Sequence, residues 1–133
     1  REHDLVLHAG KTAFVMMNRY PYITGHLMII PTRHVSRLED LTPEEKREMF
    51  DLTDISVRVL KEAMRAEGFN IGMNLGKAAG AGVEDHIHIH VVPRWNGDTN
   101  SLSVIGEVRV ISEDLSATWE LLLPYFKKYH QEV

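Results

Sequence analysis

The sequence predicts an α+β fold, and three features of it point there. Short apolar strands are punctuated by glycine turns, one long helix carries a complete start signal, and a second helical pattern closes the chain. At 133 residues a single domain spanning residues 1–133 is expected, able to bury roughly two-thirds of the surface its unfolded chain exposes. Leu5 to His8 and Thr12 to Met17 read as strands of a hairpin, because Gly10 supplies the turn and β-branched and aromatic residues flank it. Residues 18–22 form a loop. Gly25 to Pro31 (GHLMIIP) is too apolar to have a wet face, so it belongs centrally in the sheet, and Pro31 ends it.

Thr42-Pro43-Glu44-Glu45 starts a helix. Thr42 is the N-cap, Pro43 takes the first helical position, and Glu45 closes a capping box at the positive end of the dipole. The helix should run to about Ala66, with Gly68 as its stop. Met49, Leu52, Ile55, Val59, Leu60, Ala63 and Met64 recur at three and four and form one buried stripe. Phe69 to Leu75 alternates as a strand, residues 76–82 abandon periodicity for small residues, and His86 to Val92 alternates again. Residues 94–103 are polar loop and residues 107–111 a short strand. Leu115, Trp119, Leu122, Leu123 and Phe126 mark a C-terminal helix in which Pro124 is a kink or a break. There is no repeat and no linker.

Composition narrows the function. Fifteen basic against nineteen acidic residues give a net charge of −4, which argues against a nucleic-acid partner but leaves room for a small anion held locally. The apolar runs are too short to span a bilayer, so no membrane partner is expected. The absence of cysteine removes disulfides and thiolate ligands within these residues, and the start carries no signal-peptide pattern. Cytoplasm is the expected location. Because the chain opens on Arg1, an N-terminal piece is expected to be missing.

The chemistry concentrates in DHIHIHVVPRW, residues 85–95. On a strand, side chains two apart share a face, roughly 7 Å apart at the backbone. His86, His88 and His90 would therefore converge while Ile87, Ile89 and Val91 bury. Such rings serve as a metal site, with Glu84 and Asp85 nearby in sequence, as structural groups, or as a catalytic apparatus. The loop Gly76-x-x-x-Gly80-x-Gly82 is no Walker motif, yet its small residues let backbone N–H groups approach an anion. Beside it, a neutral imidazole could attack phosphorus and form a phosphoramidate while a neighbouring ring or amide neutralises the nonbridging oxygens. His88, flanked on both sides, is the expected nucleophile, and it needs an acceptor for its other ring N–H.

His86-Ile-His88-Ile-His90-Val-Val resembles the histidine triad of the HIT family of nucleotidyl hydrolases and transferases. The resemblance extends to residues 14–21, to Gly25-His26-Leu-Met-Ile-Ile-Pro31, where Thr24 stands in place of a common proline, and to Asn70 through Val83. The string from Gly80 to Asn100 is similar to the bacterial branch described as diadenosine tetraphosphate phosphorylases or hydrolases. That resemblance implies a sheet of about five antiparallel strands with two helices, extended across a homodimer.

It also implies roles. His88 would be the residue that becomes nucleotidylated, and His90 would contact the α-phosphate or scissile oxygen. His86 would orient the nucleophile through its main-chain carbonyl while its side chain meets His26. Asn18 would bind ribose, Asn74 would reach the phosphate or leaving-group side, and Gly80, Ala81, Gly82 and Val83 would supply backbone donors. Met16 and Leu27 are candidates for the base pocket, with plain core the favoured reading of both. Zinc-bearing members resemble this chain at His34 and His86 but add a Cys-x-x-Cys, so no cofactor is required here unless an absent N-terminal segment supplies one. Ser101-Leu102-Ser103 departs from the branch's apolar stretch at the leaving-group pocket. The expected activity is cleavage at the α-phosphate of dinucleoside polyphosphates through a nucleotidyl-His88 intermediate. Phosphorolysis, adenosine phosphoramidate hydrolysis, metal-dependent hydrolysis and non-catalytic nucleotide binding are the alternatives.

Overall fold

A computed structural model describes residues 5–21, 23–81, 86–98 and 115–130. Five strands, β1 (Val6–Ala9), β2 (Ala13–Met17), β3 (Leu27–Pro31), β4 (Gly68–Gly72) and β5 (Ile89–Arg94), pair with two helices, α1 (Pro43–Met64) and α2 (Leu115–His130). The strands form one antiparallel sheet in the order β1-β2-β3-β5-β4. β3 is its middle strand, as its continuous apolar run requires.

Register separates two faces. Ala13, Val15 and Met17 of β2, Leu27 and Ile29 of β3 and Val91 of β5 alternate inward and are buried against Met49, Leu52, Ile55, Val59 and Leu60 of α1. The intervening residues point the other way. Met16 lies opposite Met28, and Met28 opposite His90, so a partly buried apolar strip leads to a histidine on the face turned away from α1. Leu27 is therefore core, whereas Met16 stays on the strip.

The β1–β2 hairpin is tied to α1 by one carboxylate. Glu48 accepts from the backbone N–H of Lys11, Thr12 and Ala13 and from the Thr12 hydroxyl, and a Cβ on Gly10 would lie 2.3 Å from its Oε2. At the start of α1 the capping box is complete: Thr42 Oγ1 accepts from the N–H of Glu45 at 3.0 Å, and Glu45 Oε1 accepts from that of Thr42 at 2.8 Å.

Several boundaries differ from the sequence reading. Arg65, in the left-handed region at φ 58°, terminates α1, so Gly68 opens β4 instead of stopping the helix. β4 ends at Gly72 and not Leu75, its ladder with β5 closing on the pair Gly72 and His90. β5 begins at Ile89 rather than His86 and continues through Pro93 to Arg94; the ladder with β3 is confined to Ile89 to Val91, so Pro93 costs no bond there. α2 runs on through Pro124 as one helix, the proline lying on its exposed side. The strand expected at 107–111 lies outside the described residues. No helix among the described residues is long and apolar enough to cross a membrane.

Replacing Thr42 by Ala removes one cap acceptor while leaving the carboxylate of Glu45 in place. The expected loss is about 1 kcal/mol, read as a fall of a few degrees in Tm by calorimetry.

Candidate active site

Two chain segments deliver the histidines. Gly25, at φ +91°, adopts a conformation that L side chains rarely take, and a Cβ there would meet Met64 Sδ at 3.0 Å and Pro93 Cγ at 3.2 Å. The glycine thus lets the turn pack under α1 and present His26, which is 1% exposed, on the face carrying His90. The second segment, residues 86–88, precedes β5 and is held from outside the sheet, the N–H of Ile87 donating to the Val35 carbonyl at 2.7 Å.

The rings form a directed chain. His88 Nδ1 lies 2.8 Å from the main-chain oxygen of His86. A carbonyl only accepts, so Nδ1 carries the hydrogen and the Nε2 of neutral His88 is a bare lone pair. His90 Nε2 lies 3.1 Å from that lone pair and therefore donates to it, leaving His90 Nδ1 as the acceptor for His26 Nε2–H at 2.8 Å. The His88 and His90 rings meet edge to face at 4.5 Å. Every hydrogen in the chain follows from the first bond.

Burial enforces neutrality. It pushes His26 down to about 3, with the charges His90 and His88 would carry adding to the effect. His90 is lowered for the same reasons, burial first and then His88. A protonated ring at either position would add a donor where the chain needs an acceptor.

His86 departs from the expected convergence. Its Nε2–H donates to the Arg33 carbonyl at 2.9 Å and its ring lies 4.8 Å from that of His34, so the ring that meets His26 is that of His90 and not His86. Residues 86–88 lie ahead of the ladder, where the two-residue alternation of a strand does not apply. The His86 carbonyl, by contrast, faces His88 Nδ1.

His34 and His86 offer two nitrogen ligands, where a structural zinc site needs four. Among the described residues no group of three or more His, Cys, Asp or Glu side chains could hold a metal, and the sequence has no cysteine. These residues do not complete a zinc set.

The loop is only partly what the glycines foretold. Gly76 and Gly80 have positive φ, 84° and 98°, and wrap a single 3-10 turn, Lys77–Ala79. The N–H of Gly80 donates to Lys77 O at 3.0 Å and that of Ala81 to Gly76 O at 3.1 Å, so these two predicted phosphate donors are spent inside the turn. Gly82 and Val83, with Glu84 and Asp85, lie outside the described residues, as do Asn100 and Ser101 to Ser103. Asn74 is exposed on the same loop, its Nδ2 3.2 Å from where a Gly80 Cβ would stand. Asn18 is half-buried beside His26, its Nδ2 3.3 Å from Nδ1 and 3.5 Å from Nε2 of that ring, and its Oδ1 accepts from the Tyr20 N–H at 2.9 Å.

Sequence reasoning missed the bracing behind the site. Trp95 Nε1–H donates to the Met64 carbonyl at 3.0 Å, and Arg94 bridges Asp98 and Asn70, clamping the end of β5 to α1 and β4. The Arg-Trp-x-x-Asp pattern after the triad was the available signal.

Fold and site together define an α+β protein with a directed histidine chain on the side of its central strands turned away from α1. The chain belongs to the HIT domain family, which matches residues 2–97. An AP-4-A phosphorylase of Mycobacterium tuberculosis is 47% identical over 121 residues, covering 91% of this chain and 62% of that protein. The asymmetrical bis(5'-nucleosyl)-tetraphosphatase of Schizosaccharomyces pombe is 36% identical over 93 residues, covering 70% of this chain and 50% of that protein. The chain thus spans less than two thirds of the length of either relative. A zinc-bound histidine triad family protein from Mycobacterium smegmatis superimposes with a TM-score of 0.80 at 29% identity, covering 97% of this chain and 88% of that one.

His26 makes stability pH-dependent. Its folded-state value lies below the ordinary 6.5, so the unfolded chain binds the extra proton first, and the stabilisation present above 6.5 is lost as pH falls toward 3. Urea titrations at pH 7.5 and 5 should show lower stability in acid, with a smaller difference in His26→Gln.

Proposed function

We propose that this chain forms the nucleotidyl-transfer site of an enzyme acting on dinucleoside polyphosphates. The observation that carries the reading is the bare Nε2 of His88, fixed by the bond from Nδ1 to the His86 carbonyl. The lone pair attacks the α-phosphorus of the adenylyl group, the phosphoanhydride P–O bond breaks, and the nucleoside polyphosphate departs. His90, whose Nε2–H already points at the attacking nitrogen, is placed to donate to a phosphoryl or leaving oxygen. Asn18 would hold ribose, Asn74 the phosphate side and Met16 the base. Water or phosphate then takes the AMP from His88. Similarity to the Mycobacterium tuberculosis AP-4-A phosphorylase supports phosphate as acceptor, whereas similarity to the Schizosaccharomyces pombe tetraphosphatase supports water.

Product analysis with diadenosine tetraphosphate decides between them. ATP plus ADP formed only with phosphate marks phosphorolysis; ATP plus AMP without phosphate marks hydrolysis; no turnover overturns the substrate assignment. His88→Ala should abolish turnover, by at least about 1,000-fold, while AMP binding measured by calorimetry persists. A metal-dependent reaction would instead be lost on thorough chelation.

The partner we propose is a second copy of the chain, in the cytoplasm. β4 is an edge strand whose Asn70, Ile71 and Gly72 are exposed, Ile71 at 50%, and such an edge is a template for another strand. Sedimentation should give a dimer, and Ile71→Lys should shift it toward monomer.

A further inference from the structure

We propose that Arg33 and Glu45 are positioning residues for His88, acting through the Arg33 carbonyl and His86. The inference rests on the reading of His88 as nucleophile. That role requires the hydrogen on Nδ1, and the acceptor that keeps it there is the His86 carbonyl, which precedes β5 and gains nothing from the sheet ladder. Its rigidity is borrowed from residues 33–35. His86 Nε2–H donates to Arg33 O at 2.9 Å and the Ile87 N–H to Val35 O at 2.7 Å, one bond on each side of the carbonyl that matters.

Residues 32–35 are themselves held at three places. The Thr32 N–H donates to Thr12 O at 2.8 Å, and Val35 is buried in the core. The third hold is the Arg33 side chain: Nε and one terminal nitrogen grip both oxygens of Glu45 at 3.1 and 2.8 Å, and that terminal nitrogen also donates to Asp40 O at 2.8 Å. A two-point grip on a planar carboxylate fixes direction as well as distance. Glu45 cannot drift, because it is buried and its Oε1 also receives the N–H of Thr42 at the start of α1. The first turn of the long helix is thus connected, bond by bond, to the lone pair of His88. The Arg33 side chain is 52% exposed but that of Glu45 only 6%, so removing Arg33 leaves a buried carboxylate without its partner, and Tm is measured beside the rate in each variant to separate a geometric effect from a folding effect.

The test compares Arg33→Met, Arg33→Lys and Glu45→Gln with Thr42→Ala, which weakens the same helix start without touching the Arg33–Glu45 contact. Ring nitrogen–proton correlation spectra of the ligand-free protein report the His88 tautomer, single-turnover labelling with diadenosine tetraphosphate reports adenylyl-enzyme formation, and AMP titration reports binding. Arg33→Met should populate the Nε2–H tautomer of His88 and slow adenylyl transfer about 10- to 100-fold with unchanged AMP affinity. Arg33→Lys should recover part of the rate, Glu45→Gln should resemble Arg33→Met more weakly, and Thr42→Ala should lower Tm alone. A wild-type tautomer and rate in Arg33→Met, or an equal loss in Thr42→Ala, would overturn the proposal. If the wild type forms no adenylyl-enzyme, the nucleophile reading fails, and the tautomer spectra still decide whether Arg33 positions the ring.

Discussion

The hydrogen bond from His88 Nδ1 to the His86 carbonyl sets the sense of every other contact in the site. A carbonyl oxygen has no hydrogen to give, so it fixes one end of a chain whose remaining members, His88, His90 and His26, could each donate or accept at either nitrogen. Once that end is fixed, His90 must donate to His88 and His26 to His90. A bare lone pair on His88 appears as a consequence of backbone geometry.

For His26 and His90 the architecture favours the neutral ring through burial. His26 is almost fully enclosed where the turn at Gly25 packs under Met64 and Pro93. The face of the sheet covered by α1 supplies a dry core of Val15, Leu27, Ile29 and Val91, while the opposite face bears the histidines and the strip with Met16 and Met28. Stability and chemistry are assigned to opposite faces of the same strands.

Much of this was legible in the chain. The capping box at Thr42 is a local pattern with a local cause, and it stands in the structure as the four residues specify. The central place of β3 follows from its unbroken apolar run, and the buried stripe of α1 from spacing alone. Boundaries were less legible because they depend on partners. β4 stops at the last pair of its ladder, Gly72 with His90, and α1 ends on Arg65 in a left-handed conformation that pattern reading assigns to glycine. The glycines of 76–80 suggested free backbone donors for an anion, yet spacing alone cannot show that the amides of Gly80 and Ala81 close a tight turn instead.

The sequence by itself determined which residues are candidates for the chemistry: an unusual local run of histidines after a glycine loop is visible in one dimension. Tertiary structure decided what each histidine contacts. Strand alternation predicted three rings on one face, but His86 and His88 precede the ladder, and residues 33–35, more than fifty positions earlier, turn the His86 ring toward His34 and leave its carbonyl to His88. His26 joins His90 because β3 and β5 are neighbours in the sheet. Those assignments arise from contacts between segments distant in sequence, which local periodicity does not encode.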